Sequence, residues 1–312
     1  IFCMLKSRLS AAMMSSGHAV AMHRALSGVS KQEMISEKMG GIDFYRFIEE
    51  LEADFDNRFD ALRDNLQKTV SLIFTRENLR LFDYTAQNNQ YNDFNRKVSE
   101  FIADAPDVHN EVCTIDFKKR KFSEGYKTSA KVQYVAKAGT YRMGDLSYTG
   151  ALKVLRVIMG YDYLWSQVRV LGGAYGCFSG YSRSGKVTFA SYRDPNLRRT
   201  LEVFNGASSY LKDFKAGVRD MTKYIIGTVS DLDFPLTPSA KGSRSREAFL
   251  CNDSFENVQR ERDEILGCTS EDISKLSKYI EAGRQDECIC VLGGEEEIEK
   301  EKDLFTGILP LF

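Results

Sequence analysis

The sequence predicts an α+β fold, with a helix-rich first part followed by a part that forms one sheet covered by helices on one face. Apolar side chains recur at helical spacing through much of residues 1–105. In residues 106–312, short strand-like runs fall near the beginning, middle and end, with helical patterns between them. We expect two domains, 1–105 and 106–312, divided at Ala105-Pro106, because the residue before a proline is disfavoured in helices.

The first part is predicted to consist mainly of helices. Residues 4–28 are rich in Ala, Met and Leu and contain no proline. Ser30 and Glu33 match a capping box, which predicts a short helix that ends near Gly40-Gly41. Apolar residues spaced by three and four in residues 43–73 predict two amphipathic helices. A strand at residues 79–84 and a helix at residues 89–102 complete this part.

The second part is organised around residues 150–195. The sequence predicts a buried helix at residues 151–169, because one face carries an apolar series that consists of Val154, Val157, Tyr161, Leu164, Trp165 and Val168. Gly172 and Gly173 should end this helix and turn the chain, since glycine has no Cβ. Two strands follow at 175–181 and 186–192. We therefore expect Arg169, in the last helical turn, and Tyr175, just past the glycines, to be held close together.

Other signals place the remaining elements. Asp194 is predicted to cap the next helix with Pro195 at its first position, and Asp253 and Thr269 to begin two later helices. The further elements are a strand at 130–136, a helix at 216–228, a long polar loop at 231–245, a strand at 288–292 and an acidic helix at 295–303.

Composition narrows the class of protein. With 43 basic and 44 acidic residues the net charge is −1, so we expect no nucleic-acid partner and no membrane partner. No apolar run approaches the roughly 18 to 20 residues of a membrane span. Seven cysteines without a framework spacing indicate reduced thiols in an intracellular compartment. Because the chain begins at Ile1, without a methionine, we expect it to be a piece of a longer protein.

Several segments carry a resemblance to a known family. They are LWSQVRVLGGAYG, SYRDPNLRRTLEVF, SSGHAVAMHRA, GGIDFYRFIEEL, YIIGTVSDLDFP and CICVLGGEEEI. Through them the chain resembles, over nearly all of its length, the C-terminal half of the presequence protease and falcilysin branch of the pitrilysin/insulinase zinc metalloproteases.

The resemblance implies a fold and an activity. Residues 1–105 are then the later part of the third of four pitrilysin-type α/β domains, which makes this first domain incomplete, and residues 106–312 are the fourth. The implied activity is a zinc-dependent endopeptidase whose two halves close around an unfolded peptide. Zinc is bound by the N-terminal half, the partner of this chain, which is inactive alone. The implied location is a bacterial cytoplasm or an organellar matrix.

Arg169 and Tyr175 match an arginine and a tyrosine that, in the family, reach the scissile region of the peptide across the closed chamber. Peptide hydrolysis develops negative charge on the carbonyl oxygen, and a preorganised donor to that oxygen contributes about 3 kcal/mol. The resemblance thus assigns these two residues to substrate positioning and Gly172 and Gly173 to the turn. Without it, an arginine at a helix C-terminus indicates dipole compensation and the tyrosine indicates packing.

Metal ligands are not expected in this chain. The family's zinc motif is His-x-x-Glu-His, and none of His18, His23 and His109 begins one. Histidines five residues apart point about 140° apart around a helix, so His18 and His23 are predicted to be ordinary helix residues satisfied by packing or hydrogen bonds. Cys288 and Cys290 alternate across a strand and face opposite ways.

Two other functions stay open. The chain could be a non-catalytic binding or assembly subunit of the same fold. It could also bind a nucleotide, because Gly180 to Lys186 matches the glycine and lysine positions of a phosphate loop. However, Val187 replaces the required Ser or Thr, and the following residues are strand-like rather than helical. A hairpin turn is therefore the favoured interpretation of residues 180–186.

Overall fold

A computed structural model describes residues 1–79, 93–108, 114–142 and 146–312. Residues 80–84 of the predicted strand, 89–92 of the predicted helix, and His109 lie outside the described residues. The chain forms two compact units, the first made of residues 1–50, 117–232 and 260–312 and the second of residues 51–116 and 233–259. The predicted division at Ala105-Pro106 concerns homologous domains rather than these compact units, and it stays a prediction.

The first hundred residues are helical where the structure describes them. The helices are α1 (Phe2–Ser15), α2 (Gly17–Ser27), α3 (Lys31–Gly40), α4 (Ile42–Ala53), α5 (Phe55–Ile73) and α6 (Phe94–Asp104). The predicted helical region at 4–28 divides into α1 and α2. Gly17, the first residue of α2, packs so closely on the Tyr134 ring that a Cβ there would lie 2.3 Å from a ring carbon. Glycine thus allows α2 to approach the sheet.

Six strands form one mixed sheet. They are β1 (Ser123–Thr128), β2 (Tyr134–Thr140), β3 (Gly176–Tyr181), β4 (Lys186–Tyr192), β5 (Cys288–Gly294) and β6 (Gly307–Pro310), in the order β3-β4-β2-β5-β1-β6. β1 is parallel to β5 and β6, and the other pairs are antiparallel. β3 and β6 are the edge strands. The α+β class predicted from the sequence is confirmed.

Helices cover both faces of this sheet. Val135, Phe189 and Val291 face a core shared with the helices of the second part, as predicted. These helices include α7 (Ala151–Ile158), α8 (Arg198–Lys212), α12 (Ser270–Lys275) and α13 (Ser277–Gln285). Ala136 and Cys290 face the other way, into a second core built with α1 to α4. The N-terminal helices therefore complete the layer that the second part leaves open.

The remaining helices correct parts of the sequence analysis. They are α9 (Val218–Leu232), α10 (Pro238–Leu250), α11 (Phe255–Leu266), α14 (Glu295–Lys300) and a 3-10 turn at Lys302–Leu304. The predicted loop at 231–245 is wrong beyond residue 237, because Thr237 caps α10 by accepting a hydrogen bond from the Ala240 N–H. The predicted capping box at Thr269 is confirmed, with both of its hydrogen bonds to Asp272 present.

Two predicted caps are wrong. Ser30 is the N-cap residue of α3, but its hydroxyl donates to the Gln32 side chain rather than accepting from a backbone N–H of the helix. Asp194 does not cap α8, which begins four residues later. The Asp194 carboxylate is buried and instead accepts from the Asn196 N–H and the Thr200 hydroxyl.

A helix that crosses a membrane must be both long and apolar. Within residues 1–79, 93–108, 114–142 and 146–312, none of the helices meets both requirements.

Candidate functional site

The helix that leads to Arg169 changes its winding partway along. After α7 it continues as two π-helical segments, Met159–Tyr163 and Trp165–Val170, in which each N–H bonds five residues back. The Leu171 N–H, for example, donates to the Ser166 carbonyl at 3.0 Å. Such segments are rare and are frequently found at functional sites.

The predicted burial of this helix face is only partly correct. Val154, Leu164 and Val168 are buried, but Tyr161 is 74% exposed and Trp165 is 41% exposed. Tyr161, Trp165 and Arg169 are spaced by four residues, so they share one side of the helix. That side lies along a surface cavity rather than in the core.

The glycine turn connects this helix to β3. Gly173 has a φ of +81°, a conformation that other residues rarely adopt. A Cβ at Gly172 would lie 2.3 Å from the Val168 carbonyl oxygen. The Asn196 side chain donates to the Gly172 carbonyl at 2.5 Å, and Asn196 itself donates its N–H to buried Asp194. Asp194 and Asn196 therefore hold the turn in place, a role that the sequence analysis missed.

The cavity has a volume of about 520 Å³, within the usual range for ligand sites. All of its lining residues belong to the first compact unit. They come from α2, α7, the π-helical segments, β3, β4 and α9, and they are His18, Arg156, Val157, Gly160, Tyr161, Trp165, Arg169, Tyr175, Gly176, Cys177, Phe178, Ser179, Tyr192 and Asp231. Arg169 and Tyr175, the two predicted site residues, are both among them.

Arg169 is held by aromatic rings. Its guanidinium carbon lies 4.0 Å from the centre of the Trp165 ring and 6.0 Å from that of Tyr175. Among the described residues, no carboxylate forms an ion pair with it. Tyr175 is 68% exposed, and its ring packs edge-on against Tyr192 at 5.7 Å. The cavity therefore presents a guanidinium and a phenol whose polar atoms are open to a ligand.

His18 forms part of the cavity wall although it lies about 150 residues before Arg169. Its ring stacks on Phe178 at 5.2 Å and meets Tyr192 edge-on at 4.9 Å. The prediction that packing and hydrogen bonds satisfy His18 is wrong in part, because its Nδ1 atom is buried without a partner among the described residues. Burial lowers the pKa of His18, which favours the neutral ring.

The cavity residues are poorly suited to nucleophilic or metal chemistry. Burial raises the pKa of the Cys177 thiol to about 11, so this cysteine stays protonated at neutral pH. In the described part of the chain, no group of three or more His, Cys, Asp or Glu side chains is arranged to hold a metal ion. These residues therefore do not fit a zinc ion, and no step through a metal is derived from them.

Residues 180–186 form a hairpin. β3 ends at Tyr181, residues 182–185 turn with Gly185 at a φ of +92°, and β4 begins at Lys186. A phosphate loop must precede a helix, whereas this segment joins two antiparallel strands. Lys186 binds the Glu33 carboxylate at 2.5 Å instead of pointing to an open loop. The geometry thus contradicts a nucleotide site at these residues.

Comparison with known proteins identifies the family. The family model described as "PreP C-terminal domain" matches residues 123–293. A second model, for a segment associated with subfamily C of the M16 peptidases, matches residues 1–51. The first match alone spans more than half of the chain.

Curated relatives extend the likeness over almost the whole chain. Protein HypA of Clostridium perfringens is 39% identical over 97% of this chain and 31% of its own length. Presequence protease 1, chloroplastic/mitochondrial, of Arabidopsis thaliana is 28% identical over 94% of this chain and 27% of its own length. The chain thus spans about a third of the length of the curated relatives that it matches.

Solved structures give weaker likenesses. A peptidase M16 inactive domain from Pseudomonas fluorescens covers 64% of this chain and 48% of its own at 17% identity, with a TM-score of 0.46. Pitrilysin covers 63% of this chain and 22% of its own at 13% identity, with a TM-score of 0.45. The resemblance drawn from the sequence is confirmed by the family models and the curated relatives, and the chain belongs to the PreP C-terminal domain family.

Proposed function

We propose that this chain is the non-zinc-binding part of a zinc metalloendopeptidase that encloses and degrades unfolded peptides. In this proposal Arg169 and Tyr175 position the peptide bond that is cut. The observation that carries the proposal is the Arg169 guanidinium, which lies in an open cavity between two aromatic rings and has no carboxylate partner among the described residues. A charge left without a counter-ion at such a place is suited to an oxygen of a ligand.

The geometry suits an extended peptide carbonyl. The N–H groups of a guanidinium lie in its plane, so stacking on the Trp165 face leaves them available as donors. The exposed Tyr175 hydroxyl can donate to the same oxygen or to its neighbour. Both residues are fixed by the glycine turn, which keeps the donors in place before the peptide arrives.

The rest of the proposed enzyme lies outside this chain. We propose that the N-terminal half of the same protein binds zinc and is the partner that closes over the cavity, and that this chain alone is inactive. Closure on peptides is then a step of each turnover. We also propose a reducing compartment, a bacterial cytoplasm or an organellar matrix, consistent with the six described cysteines, which are all free.

The proposal is tested in the full-length protein by Arg169→Ala and Tyr175→Phe. Each variant removes a donor to the developing oxyanion, so we expect kcat for hydrolysis of an unfolded peptide to fall by roughly 100-fold. Zinc content, measured by atomic absorption, should be unchanged. Arg244→Ala is the matched control, because Arg244 is exposed on α10 and does not line the cavity.

Two results would contradict the proposal. Turnover in both variants at the wild-type rate removes Arg169 and Tyr175 from the mechanism. A full-length wild-type protein that binds peptides but neither holds zinc nor cleaves them points instead to a binding or assembly subunit of the same fold.

A further inference from the structure

The edge strand β3 has one side without a partner among the described residues. It pairs with β4 alone, from Gly176 opposite Tyr192 to Tyr181 opposite Val187. An unpaired edge exposes a row of N–H and C=O groups that can pair with another extended chain. What such an edge can bind depends on which groups point outward and on what lies beside them.

The hydrogen bonds at the end of the hairpin fix the direction of each group. The Ser182 N–H donates to the Lys186 carbonyl at 3.0 Å, so residues 182 and 186 form a hydrogen-bonded pair. In an antiparallel pair these alternate with non-hydrogen-bonded pairs. Even-numbered residues of β3 therefore bond to β4. Cys177, Ser179 and Tyr181 direct their N–H and C=O groups toward the open edge.

The other side of β4 agrees with this alternation. The Gly185 carbonyl accepts from the Tyr141 N–H at 2.8 Å, which assigns the odd-numbered residues of β4 to β2. Its even-numbered residues are left for β3, in agreement with the Ser182–Lys186 pair. Two independent hydrogen bonds thus give the same direction for the backbone of β3.

The cavity that holds Arg169 continues along this edge. Gly176, Cys177, Phe178 and Ser179, the first four residues of β3, all line it. Tyr175 directly precedes the strand, so a chain lying along β3 passes Tyr175 and Arg169 at the strand's N-terminal end. On one side of that path Phe178, 47% exposed, stacks on His18, whose buried Nδ1 atom has no partner among the described residues.

We propose that β3 binds the peptide by strand addition, with the backbone of an extended peptide pairing with Cys177, Ser179 and Tyr181. This inference rests on the proposed function and names the subsite that holds the peptide beside Arg169 and Tyr175. A peptide is the occupant that fits, since outward N–H and C=O groups at a two-residue repeat match only another extended backbone. The contacts are independent of the peptide sequence. Phe178 and His18 add an aromatic surface for alternate side chains.

The first test is hydrogen exchange in the full-length protein. The probe is the best-bound member of a random library of unstructured peptides, with cleavage blocked by a metal chelator. We expect the Cys177 and Ser179 amides to gain protection when this peptide is bound. A scan of single N-methyl groups along the peptide should weaken binding at every second residue, by roughly fivefold for each hydrogen bond lost.

A matched pair of variants gives a second test. Cys177→Pro removes an outward N–H, and proline is tolerated on an edge strand at such a position. Cys177→Ala removes the thiol and keeps the N–H. We expect Cys177→Pro to bind the probe peptide roughly fivefold more weakly than Cys177→Ala, with circular dichroism used to check that both variants are folded.

The outcomes separate this inference from the proposed function. If peptides are bound and cleaved but the β3 amides gain no protection, or the N-methyl scan shows no alternation, strand addition is overturned and the roles of Arg169 and Tyr175 are untouched. If no library member is bound or cleaved, both proposals fall. Protection of the β3 amides that rises with protein concentration and without peptide overturns the inference in favour of a second copy of the chain.

Discussion

At the scale of single residues, Arg169 depends on neighbours that the sequence reveals unequally. Gly172, Gly173 and Tyr175 follow it in the chain, so the sequence indicated that the arginine and tyrosine lie together, and the structure places the guanidinium carbon 6.0 Å from the centre of the tyrosine ring. Trp165 was predicted to be buried because α-helical spacing puts it on the apolar face. The π-helical winding and the cavity beside it could not be read from that spacing. His18 reaches the cavity only through the packing of α2 on the sheet.

The two glycines of the turn make a prediction at this scale. Alanine at Gly172 places a Cβ against the Val168 carbonyl, and alanine at Gly173 must adopt a φ of +81°. We expect both variants to lower the free energy of unfolding, Gly173→Ala by about 1 kcal/mol and Gly172→Ala by more. Denaturant unfolding measures this. Gly160→Ala, where a Cβ meets nothing within 4 Å, is the control, and an equal loss there contradicts the steric argument.

At the scale of elements, the sequence predicted those whose side chains alternate clearly. β4 is found at its predicted residues, 186–192, because KVTFASY alternates β-branched and aromatic residues with small ones. β1 was missed, since SEGYKT is mostly polar and becomes a strand only by pairing with β5 and β6. The predicted strand at 130–136 lies four residues too early. Its apolar alternation starts at Val132, but pairing with β4 and β5 begins at Tyr134.

Glu33 joins three of these elements and gives a pH-dependent prediction. Its carboxylate contacts His23 of α2 at 3.4 Å and Lys186 of β4 at 2.5 Å. The His23 hydrogen bond and then Lys186 lower the pKa of Glu33 from 4.5 to about 2. A lowered carboxyl pKa gives stability that is present above the unfolded value and is lost as the pH falls toward the folded one.

We therefore expect Glu33→Gln to be less stable than the wild type by about 1 kcal/mol near pH 6, because solvent screens the partly exposed pair. The deficit should shrink as the pH is lowered toward about 3. Denaturant unfolding at several pH values measures both. Glu281→Gln, which removes an exposed pair with Lys212, should show no such trend. A deficit that stays constant with pH contradicts the ion-pair explanation.

At the scale of the whole molecule, a buried cluster ties the N-terminal helices to the sheet. Arg24 of α2 contacts Asp43 of α4 at 2.8 Å, Glu124 of β1 at 2.7 Å and Glu37 of α3 at 3.5 Å. Glu37 is only 1% exposed, and burial raises its pKa even though Arg24 opposes the shift. One guanidinium thus joins residues that are 100 positions apart, a link that no local pattern in the sequence could predict.

Arg24→Ala should lower the free energy of unfolding by about 3–5 kcal/mol near pH 7, because it leaves buried carboxylates unpaired. Without Arg24 the pKa of Glu37 rises further, and a raised acid pKa costs stability only above the unfolded value. The deficit should therefore be smaller near pH 5 than near pH 7. Arg63→Ala, which removes an exposed arginine, should change stability by less than about 0.5 kcal/mol. An Arg24 deficit that is equal at both pH values contradicts the role given to Glu37.

Trp165, stacked under the Arg169 guanidinium, is the single tryptophan of the chain. Indole fluorescence depends on the polarity and charge around the ring, and here both change when the guanidinium moves or water leaves the cavity. The chain therefore contains its own optical sensor, placed where binding is proposed, and its emission can report occupancy in real time without an attached dye.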